Sequence, residues 1–519
     1  MEIKTDVSYL KNIKCQDVYT ESQVDYVLPD YLADVRKILF TEATLRPSGR
    51  FAGGETVEFS GVVVYNVVYL DSEGDISSVE FTSDYDYSVK CSCDSYSDSI
   101  ADTRVSNYAV RLVGPRKMSA KVSLVGSVRL TENSSVCASG DAFGGESDPQ
   151  LNSGSVKIRR TRPSAVIERE YAESVARLEG AIADEVRVVY SCAETMVDSV
   201  DPAEDSASVK GRLRMWAVIK NGDEPAYGVE KTVGFEESVD LESPFYSMRL
   251  IPEITVSSVK ANVNADENGC EVVLSAILEL CIIGEGNQDV ELILDGYLLD
   301  CPTDNGYDEF CYTGLVDVAS VREGHNVEVE RSTLESDGLR EIVFLTATPK
   351  IESVEHSIGV ATVNGEIRYS GVASENIQDK VSYVGIKFTS PFSINVNISS
   401  QNADKIELES SVHSSNVSWS IDADKIYASC TLDSTVVATE ERRIQVLSSM
   451  TRCEDVSYDS EGARITVYYP SPEESLFSVA KRFRTSVMKV AKDNDITESV
   501  FASDNPDGKL AGVKKLLIY

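Results

Sequence analysis

Three histidines, His325, His356 and His413, are the side chains best suited to proton transfer near neutral pH or to metal ligation. None has a Cys or His partner at metal-ligand spacing, so they read as surface or turn residues. The eleven cysteines are odd in number and contain no Cys-x-x-Cys pair. Cys91 and Cys93 would share one face of a strand, where neighbours are poorly placed to bridge each other. The thiols read as reduced and structural, with metal or redox work as the other reading. Asn264, Asp266, Asn268 and Gly269 imitate the first half of a calcium loop, but Ser275 stands where the bidentate glutamate is needed, and Asn-Gly is a hairpin signal. No Gly-x-x-x-x-Gly-Lys-Ser/Thr loop or Gly-x-Ser-x-Gly elbow occurs. Among 85 carboxylates, closeness in sequence does not identify an acid/base pair. The expectation is a chain that is not an enzyme and uses no metal or cofactor.

The elements that would position any site are mostly strands, and they recur. A β-type run opening at Val57-Glu-Phe-Ser-Gly61 leads to Val79-Glu-Phe-Thr82 and Ser88-Val89. Val209-Lys-Gly211, Val229-Glu-Lys-Thr232 and Ser238-Val239 repeat it at the same distances from the glycine. A third copy runs from Val363-Asn-Gly365 to Phe388-Thr-Ser390 and Val396, with three extra residues in the hairpin. In the second copy Val209, Gly211, Leu213, Met215, Ala217 and Ile219 alternate with more polar residues up to an Asn221-Gly222 turn. The fold class expected is mainly β, with three tandem antiparallel sandwich- or barrel-like repeats and a small strand–helix–helix–strand unit. The division reads as an N-terminal segment 1–25, repeats at 26–132, 172–322 and 323–463, a linker at 133–171, and a last unit at 464–519. The linker is inferred from the Ser, Gly, Asp and Asn content of Glu132 to Ser155, and a second polar join from Glu323 to Gly338. Modules strung on short linkers are the implied shape. The basic run Lys157-Ile-Arg-Arg-Thr-Arg162 could dock on a neighbouring acidic module or on a partner.

A formal charge of −36 repels phosphate backbones and anionic lipids, which argues against nucleic acid and membrane as partners. It suits solubility or attraction to a basic surface. No apolar stretch is long enough for a signal-peptide core or a membrane span, so the location expected is cytoplasmic.

The register changes near the end. After the strand-like Ile465-Thr-Val-Tyr-Tyr469, Ser471-Pro-Glu-Glu474 has the form of a capping box with proline at the first helical position. Leu476, Val479, Ala480 and Phe483 follow at one-face helical spacing, then Val487, Val490 and Ala491 in a second helix ending near Asn494, then the strand-like Leu516 to Tyr519.

These last residues resemble a LysM module. Glu473-Glu474-Ser475-Leu476 stands where that family has Gly-Asp-Thr-Leu, and Val479-Ala480-Lys-Arg-Phe483 where it has Ile-Ala-x-x-Tyr/Phe. Val490 to Asn494 matches Leu-x-x-x-Asn, and Gly512 to Ile518 the closing Gly-x-x-Leu-x-Ile. The resemblance implies a groove walled by Glu473, Glu474 and Ser475 on one side and Asn494, Asp495, Ile496 and Thr497 on the other. In the family this groove typically takes N-acetylglucosamine polymers. The repeats resemble the SPOCS domain of spore-forming Firmicutes, on Phe59-Ser-Gly-Val-Val-Val-Tyr65 and Val79-Glu-Phe-Thr82. The combination is similar to the spore coat morphogenetic proteins of clostridia. That resemblance implies a coat-assembly adaptor on the mother-cell side of the forespore surface, with other coat proteins as partners and a LysM module that engages the stage IV sporulation ATPase of the coat basement. The alternative it leaves open is a cell-surface protein that binds peptidoglycan.

Overall fold

Alternation with period two places every second side chain on one face of an extended chain, and along most of this protein it yields strands with one buried face. The computed structural model describes residues 5–14, 16–53, 56–90, 96–144, 148–241, 247–333, 338–377, 380–399, 405–422, 424–453, 465–496, 509–510 and 513–519. First come β1 (Thr5–Lys14), β2 (Val18–Val27), β3 (Val35–Gly53), β4 (Thr56–Asp71), β5 (Ile76–Lys90), β6 (Tyr96–Gly114) and β7 (Lys117–Ala138). Next are β8 (Gln150–Pro163), β9 (Ile167–Glu179), β10 (Val186–Pro202), β11 (Ser206–Asn221), β12 (Tyr227–Asp240), β13 (Arg249–Asp266) and β14 (Gly269–Tyr297). Then follow β15 (Thr303–Glu330), β16 (Leu339–Ser357), β17 (Val360–Ile377), β18 (Lys380–Asn397), β19 (Ile406–Ile421) and β20 (Lys425–Arg452). The chain closes with β21 (Thr466–Tyr468), α1 (Leu476–Phe483), α2 (Val487–Asp493) and β22 (Leu516–Ile518). It is mainly β, and the strand ladders are antiparallel.

Two kinds of sheet alternate. β3–β4–β5, β10–β11–β12 and β16–β17–β18 are three-stranded meanders. The long strands β7, β14 and β20 each lie inside a second sheet: β7 between β6 and the pair β1 and β2, β14 between β13 and the pair β8 and β9, β20 between β19 and the unbroken β15. Buried side chains fill the space between each meander and its long-strand sheet: Val63 and Tyr65 with Met118 and Leu124, Leu213 and Met215 with Leu274 and Leu278, Val363 and Tyr369 with Ile426 and Leu432.

Register explains the glycines. Each meander slips at matching places, between Ile38 and Phe40, Val188 and Tyr190, Ile342 and Phe344, and again between Pro47 and Gly49, Val197 and Ser199, Ile351 and Ser353. The second slip starts opposite Gly61, Gly211 and Gly365. On its other side each glycine pairs with an aromatic residue, Tyr85, Phe235 or Phe392. A Cβ at Gly61 would stand 2.5 Å from Tyr85 Oη, at Gly211 2.5 Å from Phe235 Cζ, and at Gly365 2.7 Å from Phe392 Cζ. The ring lies where a side chain would be, so glycine is the residue that fits.

Strands fill most of the expected linker. The end of β7, all of β8 and the start of β9 lie in segment 133–171, while β15 covers the join expected from Glu323 to Gly338 only as far as Glu330, and residues 334–337 of that join lie outside the described residues. The expected boundaries at 25, 132, 171 and 322 fall inside β2, β7, β9 and β15. Segment 133–171 misleads because a strand paired along its backbone needs few apolar side chains: in β8 only Val156 and Ile158 enter a core, with Tyr9, Leu292 and Phe310. Nor are the units strung apart. Phe40, Tyr190 and Phe344 meet with ring centroids 5.0–5.3 Å apart, one from each meander. Asn287 bonds both ways with the backbone of Leu315, donating at 2.9 Å and accepting at 2.9 Å, while the next side chain, Gln288, bonds both ways with the backbone of Leu10. Of the basic run, Arg159 points inward while Lys157 is exposed. Arg159 holds Glu285 through two bonds of 2.8 and 2.9 Å and Glu409 at 3.0 Å, and Arg129 reaches Glu409 at 2.6 Å. Burial opposes the Arg159 charge, but the hydrogen bonds and fields of Glu285 and Glu409 outweigh it and raise its pKa.

Candidate functional site

The C-terminal unit is built from short elements fixed by side-chain caps. Ser475 Oγ accepts the Ser478 N–H at 3.1 Å and so caps α1, whose Leu476, Phe477, Val479 and Ala480 are buried. The chain leaves α1 through Arg484 in the left-handed region, at φ 55°, and Ser486 caps α2, which buries Val490 and Ala491. β21 and β22 pair antiparallel, with Val467 opposite Leu517. The capping-box hydrogen bond forms, with Ser471 N–H donating to Glu474 Oε2 at 2.8 Å, but α1 begins after it. The box closes a turn before the helix, and Ser475, not Ser471, is the cap.

The residues expected to wall a groove serve mainly the unit itself. Glu474 accepts from Ser471 N–H, from Tyr468 Oη at 2.8 and 2.9 Å and from Arg482 at 2.9 Å, and these partners hold its pKa below the usual carboxylate range. Asn494 clips α2 to β22: its Nδ2 donates to Val490 O at 2.9 Å and Leu517 O at 2.7 Å, and its Oδ1 accepts Leu517 N–H at 2.6 Å. Ile496 packs into the unit's core, and its N–H bonds to Ala491 O at 2.9 Å. Glu473 and Asp495 point to solvent, Glu473 paired with Lys509 at 2.9 Å and Asp495 with a left-handed backbone at φ 49°. Thr497 lies outside the described residues, as do Cys91, Cys93 and Gly512. The first set gathers at the start of α1 and the second at the end of α2.

Apolar groups, by contrast, face out. Ile465, Val467, Tyr469 and Tyr519 are each more than half exposed, and Met488 on α2 is 70% exposed. Antiparallel partners point to the same side of a sheet, so Val467 and Leu517 share the face of β21 and β22 turned away from the helices, and alternation sends Ile465 and Tyr469 the same way. The opposite face of the unit is docked. Tyr297 at the end of β14 stacks edge-on against Phe477, with centroids 5.2 Å apart, and donates its hydroxyl to Thr485 O at 2.7 Å. Lys481 bonds Asp295 at 2.6 and 2.7 Å. Sequence reading missed this dock, because nothing in β14 marks Asp295 and Tyr297 apart from the other strand residues around them.

The β body holds its histidines in strands, with His413 exposed at the surface as expected and His325 and His356 partly buried. His325 on β15 is within 2.9 Å of Ser390 Oγ, and burial lowers its pKa. His356 lies on β16 and His413 on β19, where desolvation by the surrounding chain lowers the imidazole pKa against the raising fields of Asp433 and Asp102. Asp266 caps the tight turn at Asn268, whose N–H it accepts at 2.8 Å, so the calcium-loop mimic is a hairpin. Among the described residues no three His, Cys, Asp or Glu side chains gather as a metal site. No helix among them is long and apolar enough to cross a membrane. A depression of about 560 Å³ beside β15, β19 and β20 is lined by one carboxylate, Glu328, with Trp419, Tyr427 and the serines Ser418, Ser420 and Ser429. Compared with models of known families the chain matches none, and it matches none of the curated proteins.

Proposed function

We propose that the chain is a non-enzymatic adaptor of spore coat assembly, in which three tandem SPOCS-like β modules carry a LysM-like unit that binds the coat-basement sporulation ATPase on the mother-cell side of the forespore. Support for three modules is the recurrence of one strand order with the same two slips and the same glycine–aromatic pair. Support for protein binding is the exposed face of Ile465, Val467, Tyr469 and Tyr519, and this observation carries the reading. An apolar face held open on a small unit loses water on contact with a complementary surface, while the polar groups a glycan would need at Glu474 and Asn494 are already bonded within the unit. Charge favours the same division of labour. Residues 464–519 hold nine Lys and Arg against seven Asp and Glu, so the whole excess of negative charge lies in the β body and the partner-binding unit is free of that repulsion. Docking on β14 presents the unit in one orientation, which lowers the ordering cost of association.

The test compares the full-length chain with its Val467→Asp and Tyr469→Asp variants. Each variant should bind the purified ATPase at least about tenfold more weakly, roughly 1.4 kcal/mol, with unchanged circular dichroism. Undiminished ATPase binding by both variants, together with binding of N-acetylglucosamine oligomers by the parent chain, would overturn the adaptor reading in favour of a glycan-binding protein.

A further inference from the structure

The sheet of β15, β20 and β19 holds the depression of about 560 Å³, and strand register shows how it is made. Asn326, Ser429 and Ser418 stand opposite one another across the three strands, and two residues along each strand Glu328, Tyr427 and Ser420 form a second row. Period-two alternation puts both rows on the same, outward side. Between them Val327, Ala428 and Trp419 turn their side chains to the core on the other side, so backbone makes the floor. Beyond the first row Gly324 is opposite Thr431, with nothing within 4 Å of where its Cβ would be, and the trough stays open there. Tyr427 rises from the second row, 40% exposed although it sits on the central strand.

The groups of this trough suit a neutral ligand rich in hydroxyls. Asn326 and the three serines each donate and accept hydrogen bonds, as a sugar hydroxyl does. Ser418 and Ser429 share one at 2.7 Å, which fixes the place of both hydroxyls. A tyrosine ring offers an apolar face with a polar tip, the surface on which the C–H side of a pyranose packs. The carboxylate does not select a cation, because Lys425 pairs with Glu328. A peptide strand has no edge to join, since both sides of β20 are taken by the ladders to β15 and β19. The volume falls in the range of roughly 300–1,000 Å³ usual for small-molecule sites. We propose that the trough is a carbohydrate subsite, in which a neutral disaccharide lays one pyranose ring on Tyr427 and hydrogen-bonds through its hydroxyls to Asn326, Glu328 and the serine pair. The subsite lies in the β body, outside residues 464–519, and is independent of the role proposed for the C-terminal unit.

The experiment is saturation-transfer-difference NMR on the full-length chain with cellobiose, maltose and lactose as probes. None of them carries an N-acetyl group, so a signal is not confused with binding of N-acetylglucosamine polymers at the C-terminal unit. At least one should receive saturation, most strongly at the C–H protons of one pyranose face. Tyr427→Ala should weaken its binding about tenfold, and Asn326→Ala about threefold, the scale of one ring contact and of one neutral hydrogen bond. Both positions are exposed, so the variants should keep the circular dichroism of the parent. Thr435→Ala, on the same face of β20 but outside the trough, should bind as the parent does. No transfer to any of the three disaccharides, or binding that neither Tyr427→Ala nor Asn326→Ala weakens, would overturn the proposal. Either result leaves the adaptor reading as it was, because the ATPase is absent from the sample.

Discussion

At the scale of single residues, the glycines of the meanders show how a sequence echo becomes a physical requirement. Gly211 lies between Met196 O and the Phe235 ring, each 2.5 Å from where a Cβ would be. Gly365 is placed likewise: a Cβ there would press on Lys350 O and stand 2.7 Å from Phe392 Cζ. A methyl group at either position must push a central strand off its bulged partner or turn the ring out of the core. Gly211→Ala should therefore lower the stability of the chain by about 1–3 kcal/mol in urea unfolding, the usual scale of core overpacking. Gly114, with nothing within 4 Å of its notional Cβ, is the control, and Gly114→Ala should fall within about 0.5 kcal/mol of the parent. Equal effects at the two positions would show that the close contact is not what holds Gly211.

At the scale of elements, α1 has two jobs. One side of it buries Leu476, Val479 and Ala480 within the C-terminal unit, and Phe477 and Lys481 meet the end of β14. Burial would raise the pKa of Asp295, but its bonds from Lys481, the Tyr307 hydroxyl and the Gly296 N–H prevail and lower it. A carboxyl whose pKa is lower in the docked state stabilises that state fully above its free value of about 3.9 and loses the contribution as pH falls through the docked value. Hydrogen exchange of the α1 amides in the full-length chain should therefore accelerate as pH drops below about 4, beyond the intrinsic pH dependence of exchange. Asp295→Asn should show faster exchange already at pH 7 and lose the acid-dependent part. Protection of α1 that ignores both pH and this substitution would mean that Tyr297 and Phe477 hold the dock by themselves.

At the scale of the molecule, the three sheet pairs make one body around shared contacts. The aromatic triplet of Phe40, Tyr190 and Phe344 joins the meanders, and Arg159 joins Glu285 of β14 to Glu409 of β19. A buried guanidinium with two carboxylates is worth keeping only where every partner is in place, so it specifies how the units meet more than it adds stability. This body should survive without its last unit. A chain lacking residues 464–519 should keep its β-type circular dichroism and its cooperative unfolding, and, under the proposed adaptor role, lose recruitment to the forespore surface. It should also bind a hydrophobic dye more strongly, because Tyr297 and Leu299 lose their cover. Normal recruitment of that shortened chain would remove the C-terminal unit from the proposed mechanism.

Local rules were enough for much of this. Period-two alternation read as strands, the three echoes around Gly61, Gly211 and Gly365 marked equivalent places, and the spacing of Leu476, Val479, Ala480 and Phe483 marked a helix. These features follow from interactions a few residues apart or from one buried face, and one chain suffices to state them. Long-range pairing was not legible. Segment 133–171 looked like a linker because its backbone partners, in β1 and β14, lie far away in sequence. Glu474, Ser475 and Asn494 looked free for a ligand because the groups that occupy them come from Tyr468, Ser478 and Leu517. The sequence by itself determined the periodicity and the supply of donors, acceptors and apolar faces. Only the tertiary structure decided which of them meet, since hydrogen bonds and packing depend on distance in space and not along the chain.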